Sequence, residues 1–157
     1  MQIKLEWLPA HTLGTKRTVV GQIDNFDLEA IPSRAGVYVF ARKFGRALEP
    51  IYIGKALNLR TRLKSQFNSH KLMRSLADGK SGDRVLMVAV LKGARGLRTA
   101  DALRTAERAH IEHALTSGNA LMNIQLTRGP LDSIERIGKA TRNNPFPKVM
   151  LVKPTRK

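Results

Sequence analysis

Tyr52-Ile53-Gly54-Lys55-Ala56-Leu57-Asn58-Leu59-Arg60-Thr61-Arg62-Leu63 decides how this chain reads. Ile51 to Ile53 is a short strand, Gly54 makes a turn, and helix signals run from Leu57 to about Ser69. Just upstream, Val37 to Ala41 is continuously apolar and β-branched or aromatic, as a buried strand requires. Between the two lies a polar turn, Lys43 to Pro50, with Gly45 inside it. A connection this brief makes the strands an antiparallel hairpin.

Working outward, Ile31-Pro32-Ser33-Arg34-Ala35-Gly36 is a breaker stretch that turns the chain into the first strand. Met1 to Trp7 alternates Ile3, Leu5 and Trp7 with polar neighbours and predicts a strand, and Arg17 to Ile23 is expected as another. On the other side, Arg84 to Leu91 reads as a central strand bounded by Gly82 and Gly93. Ala100 to Thr116 is the clearest helix, ending at Gly118. Met122 to Thr127 is expected as a short strand. From Gly129 the signals weaken, Asn143-Asn144-Pro145-Phe146-Pro147 reads as a loop, and partial disorder is expected near the end. The chain, at 157 residues, fits one domain, with no internal repeat or linker. These signals predict an α/β (α+β) fold: a small central three-stranded antiparallel sheet flanked by helices.

Lys and Arg number 28 against 12 for Asp and Glu, giving a net charge of +16. Such an excess attracts polyanions, nucleic acid first among them. It is also patterned. From Pro50 to Ala77 there is no acid, only the bases Lys55, Arg60, Arg62, Lys64, Lys71 and Arg74. After Glu135 there is again no acid, and there are seven bases. Cys is absent, which excludes disulfides and thiolate metal sites. No apolar run of about twenty residues offers a membrane span, and no secretory pattern is present, so a cytoplasmic location without membrane partners is expected.

At ~100° per residue, Leu59, Leu63 and Phe67 share one face of the first helix. Arg60, Lys64 and Lys71 lie on the far side, toward solvent or phosphates, and Arg62 sits at the edge of the core stripe, expected half-buried. In the second helix Ala100, Leu103, Ala106, Glu107, Ile111 and Ala114 cluster on one face. Glu107 is therefore a carboxylate set in an apolar stripe, while Asp101 and Glu112 point the other way. An inward carboxylate is costly unless it is paired or bound to a metal. A salt bridge to Arg62 or Arg104 and a metal site are the two readings. His110 shares that inward face, and His70 lies near the end of the first helix. A lone helical histidine is more often a packing residue than a ligand, and a catalytic or positioning role stays open for both.

Gly36-Val37-Tyr38 and Tyr52-Ile53-Gly54 are the two halves of a known signature, and Arg62 falls ten residues after Tyr52. Over roughly residues 34–127 the chain resembles the GIY-YIG nuclease family, most closely the nuclease domain of bacterial excision-repair endonucleases. Both tyrosines of the chain fall at motif positions. The resemblance implies a DNA endonuclease that hydrolyses a phosphodiester bond with Mg²⁺ or Mn²⁺. It implies Glu107 as the metal anchor, Tyr38 or Tyr52 in activating water, and Arg62 on the scissile phosphate. Lys55 would lower a tyrosine pKa or hold a phosphate, and Asn123, after the second helix, would complete the site. Thirteen residues separate the two signature halves, somewhat more than the family's usual spacing.

The resulting division is a core at 34–127 and a basic extension at 128–157 within the single domain 1–157. Arg60, Lys64, Lys71 and Arg74 are the nucleic-acid-binding candidates. The expected partner is DNA, with a separate DNA-recognition protein as a source of specificity, since no recognition module is evident. The alternative is a non-catalytic nucleic-acid-binding module on the same fold.

Overall fold

Val37, Val39 and Ala41 face one side of the sheet, Tyr38 and Phe40 the other, and that alternation divides the protein into two cores. The computed structural model describes residues 2–119, 121–122, 132–138 and 143–152. The strands are β1 (Gln2–Trp7), β2 (His11–Thr12), β3 (Gly36–Phe44), β4 (Ala47–Ala56), β5 (Asp83–Arg95), β6 (Asp132–Ile137) and β7 (Val149–Val152). The helices are α1 (Val19–Asp24), α2 (Leu59–Phe67), α3 (His70–Ala77) and α4 (Thr99–Thr116). The fold is mixed α/β, as the sequence predicts, and among the described residues no helix is long and apolar enough to cross a membrane.

The expected antiparallel trio is present as β4-β3-β5, but the sheet does not stop there. The order is β4-β3-β5-β1-β6-β7, with β2 also paired to β5, so the sheet has seven strands rather than three. Strand β1 lies antiparallel on β5, and its Ile3, Leu5 and Trp7 are buried against α4. Strand β6 runs parallel to β1 and pairs antiparallel with β7. These late strands carry weak signals because β6 mixes Asp, Ser, Glu and Arg with its isoleucines and β7 is four residues long.

The stretch expected as a strand at Arg17 to Ile23 is instead the helix α1. Its buried residues are Val19 and Ile23, four apart, with exposed residues between them. That is a helical spacing, not an alternation. The helix expected from Leu57 to Ser69 is α2, and a further helix that was not expected, α3, follows it directly. Asn58 caps α2 by accepting from Thr61 N at 3.1 Å, and Ser69 caps α3 by accepting from Leu72 N at 3.3 Å. Leu59 and Leu63, then Leu72 and Leu76, are buried in the second core, each worth about 1.5–3 kcal/mol. Arg84 of β5 is 1% exposed and closes the end of α3, donating to Leu76 O at 2.7 Å and Asp78 O at 2.9 Å.

Helix α4 ends where Gly118 predicts. Gly118, at φ +84°, donates to Leu115 O at 3.1 Å while Asn119 N donates to Ala114 O at 2.9 Å. This is a left-handed glycine cap that satisfies the last carbonyls.

Candidate active site

The β3-β4 hairpin carries both signature tripeptides. Its register sets Tyr38 opposite Gly54 and Phe40 opposite Tyr52. Pro50 then faces Ala41, so Ile51 is an extra residue in a bulge on the edge strand. Ile51 O accepts from Met122 N at 2.9 Å, which ties the segment after α4 to the strand beside Tyr52. Asn123, the next residue, lies outside the described residues.

Gly54 is required by Tyr38. A Cβ at position 54 would stand 2.4 Å from Tyr38 Cζ and Oη. Without it, the Tyr38 ring lies over the partner strand, stacked with Tyr52 at 6.1 Å between centroids and 22° between planes. Helix α2 crosses above. Gln66 donates its amide to Tyr38 Oη at 2.6 Å and to Tyr52 Oη at 3.3 Å, and Arg62 Nε reaches Tyr38 Oη at 3.4 Å. Arg62 is exposed rather than half-buried, with its guanidinium over the tyrosine pair. Residues 62 and 66 are one helical turn apart, so the sequence did hold a signal for Gln66: it repeats the Arg62 position at i+4.

Burial, and then the neighbouring Tyr52, push the Tyr38 hydroxyl up to about 12, against the opposing pull of Arg62 and Gln66. Tyr38 is fully buried and stays a protonated phenol at neutral pH, whereas Tyr52 is half-buried at the edge of the sheet.

On the other face, Glu107 is buried at 5% exposure, while Asp101 and Glu112 are only half-buried, as the helix angle predicts. Its partner is neither Arg62 nor Arg104. The ammonium of Lys55 holds the Glu107 carboxylate. Strand alternation explains this: Tyr52 and Gly54 face α2, so Lys55 faces α4. The structure therefore gathers Tyr38, Tyr52, Arg62 and Gln66 on one side of the edge strand and Lys55 with Glu107 on the other. Tyr52 and Lys55 are three residues apart, about 10 Å along the strand.

His110 packs between Trp7 and Phe146, with ring centroids at 5.6 and 4.7 Å, and its Nδ1 lies 2.7 Å from Ala106 O. Burial drives its pKa down to about 4, so it is a neutral packing residue. His70 is exposed at the start of α3. Among the basic candidates, Lys64, Lys71 and Arg74 are exposed. Arg60 is tied down, donating to Ile31 O at 2.8 Å and pairing with Glu29 at 3.2 Å.

One carboxylate is the metal-binding capacity on view, since the described residues hold no group of three or more His, Asp or Glu side chains that could cage an ion. That donor set suits a divalent cation that keeps most of its waters and completes its shell with substrate phosphate. It does not suit a dehydrated, all-protein cage.

The chain is similar to the UvrABC system protein C of Petrotoga mobilis (strain DSM 10674 / SJ95), with 50% identity over 46 residues. That stretch is 29% of this chain and 8% of the relative's length. No family model matches, and no solved structure matches.

Proposed function

We propose that the chain is a metal-dependent DNA endonuclease of the GIY-YIG type, hydrolysing a phosphodiester bond. The observation that carries this reading is the Tyr38-Tyr52-Arg62-Gln66 cluster on one side of the edge strand β4 and a buried, lysine-held Glu107 on its other side. The 46-residue similarity to a UvrABC system protein C supports it, and with it a place in DNA repair. In this reading Arg62 receives the scissile phosphate, its fork of donors meeting two phosphoryl oxygens. Tyr52, the more accessible hydroxyl, orients or deprotonates the attacking water. Tyr38 acts as a donor and scaffold rather than a base, because its proton is held to about pH 12. Glu107 would hold Mg²⁺ or Mn²⁺, which when bound would offset the charge developing on the phosphoryl oxygens. Lys55 holds the Glu107 carboxylate in place. Water adds to phosphorus, the P–O bond to one sugar oxygen breaks, and that oxygen takes up a proton.

A plasmid-nicking assay tests the reading. Supercoiled DNA converted to the open circle with Mg²⁺ or Mn²⁺, and protected by chelator, is the expected result. A non-catalytic nucleic-acid-binding module is the second reading, favoured by the closed Lys55–Glu107 pair. Salt-sensitive DNA binding without cleavage under any metal would establish it instead.

A further inference from the structure

The β3-β4 hairpin that carries the tyrosines ends in Lys43-Phe44-Gly45-Arg46, and this tip is built unlike a solvated turn. Phe44 is 60% exposed, one of four large apolar side chains left on the described surface. Gly45, at φ +60°, makes the reversal, and Lys43 and Arg46 are exposed on either side. Neither cation forms an ion pair among the described residues, although Asp83 lies across from Lys43 on β5. The Arg42 guanidinium sits 5.3 Å from the centre of the Phe44 ring and is itself fixed by Glu49 and by Ser81 O at 2.6 Å. One face of the ring is thus backed by an anchored cation. A chain of charge +16 has placed an aromatic ring between two exposed cations at the end of the β3-β4 hairpin.

A flat apolar group flanked by positive charge complements one chemistry: a nucleobase with its adjoining phosphates. We infer that the hairpin tip is a base-stacking contact, with Phe44 receiving an unpaired or unstacked base and Lys43 and Arg46 meeting the adjoining phosphates. This rests on the nuclease reading and narrows its substrate to DNA that is single-stranded, flapped, bulged or kinked near the cut. The register adds a distance. Phe44 pairs with Ala47, five residues from Tyr52, which is about 17 Å along β4. Stacked nucleotides rise about 3.4 Å each, so the contacted base lies about five nucleotides from the phosphate held at Arg62.

The test is equilibrium binding in chelator, where cleavage is silent. Duplexes carrying 2-aminopurine at one unpaired position, and matched fully paired duplexes, are titrated with wild type, Phe44→Ala, Phe44→Trp and the double variant Lys43→Ala/Arg46→Ala. Wild type and Phe44→Trp quench the probe, Phe44→Ala does not, and its affinity for the unpaired substrate falls roughly five- to hundredfold. Its affinity for paired duplex changes far less. Unaltered quenching and affinity in Phe44→Ala overturn the inference while leaving the nuclease reading intact, as does equal affinity of wild type for paired and unpaired DNA. A wild type that binds no DNA overturns both. Thermal melting of each variant confirms folding, and Phe44→Trp restores the platform if Phe44→Ala is impaired for another reason.

Discussion

Lys55 on the edge strand β4 holds the carboxylate of Glu107 on α4, and the two ends of that pair differ in their access to water. The Glu107 side chain is 7% exposed and that of Lys55 is 33%. Removing the lysine strands a buried anion, whereas removing the anion leaves a lysine that swings into solvent. Lys55→Met is expected to lose on the order of 3 kcal/mol, and Glu107→Gln clearly less. Urea unfolding of the two variants checks the order, and equal or reversed losses would contradict the geometry.

Tyr38 should make the protein sensitive to alkali in a defined window. Its hydroxyl is held up to about 12, whereas the unfolded phenol titrates at 10.0. The unfolded state therefore releases this proton first, and stability falls as pH rises through that interval. At about 1.4 kcal/mol per unit the loss is about 2–3 kcal/mol. Below pH 10 the contribution is constant. Tyr38→Phe is expected to be flatter with pH in the same window and to lose the late-titrating phenolate from the absorbance titration. An early transition in both proteins would refute the burial argument.

The two signature glycines are expected to fail differently. A Cβ at Gly36 would lie 2.0 Å from the backbone oxygen of Ala89, which cannot move without breaking the β3-β5 ladder. A Cβ at Gly54 meets the tip of the Tyr38 ring instead. Gly36→Ala should lose about 3 kcal/mol or more, while Gly54→Ala loses less but displaces the tyrosine pair. Near-ultraviolet circular dichroism and melting temperature separate the two outcomes.

The basic residues of the central stretch should also separate. Lys64, Lys71 and Arg74 are exposed, and each phosphate contact removed by alanine lowers the slope of log K against log salt by about 0.9. Arg60 is hydrogen-bonded to the Ile31 carbonyl and paired with Glu29, so Arg60→Ala should cost stability and leave the slope nearly unchanged. Salt-dependent binding to duplex DNA reads both. A full unit of slope lost with Arg60 would place it on the nucleic acid.

Much of this was legible from local pattern. The hairpin, the central strand and α4 follow from apolar runs and glycine punctuation, and the burial of Glu107 follows from helix angle alone. The division of the residues into two clusters did not. It depends on which face of β4 each residue takes, and that face is set by the pairing of Tyr38 with Gly54 and of Phe40 with Tyr52, which no tripeptide reveals. Lys55 as the partner of Glu107 joins residues 52 positions apart, beyond the reach of periodicity. Helix α1 departs from the expected strand because two valines and an isoleucine in seven residues favour a strand by composition, while only the packing shows that Val19 is buried and Val20 exposed, which leaves Val19 and Ile23 one helical turn apart.

The most direct measurement is the initial rate of plasmid nicking in Mg²⁺ or Mn²⁺ for wild type, Glu107→Ala and Glu112→Ala, with folding of each verified by melting. Wild-type activity that chelator abolishes, reduced at least about a hundredfold in Glu107→Ala and retained in Glu112→Ala, is the predicted result. Nicking that survives in Glu107→Ala and disappears in Glu112→Ala would move the metal to the other face of α4 and contradict the account.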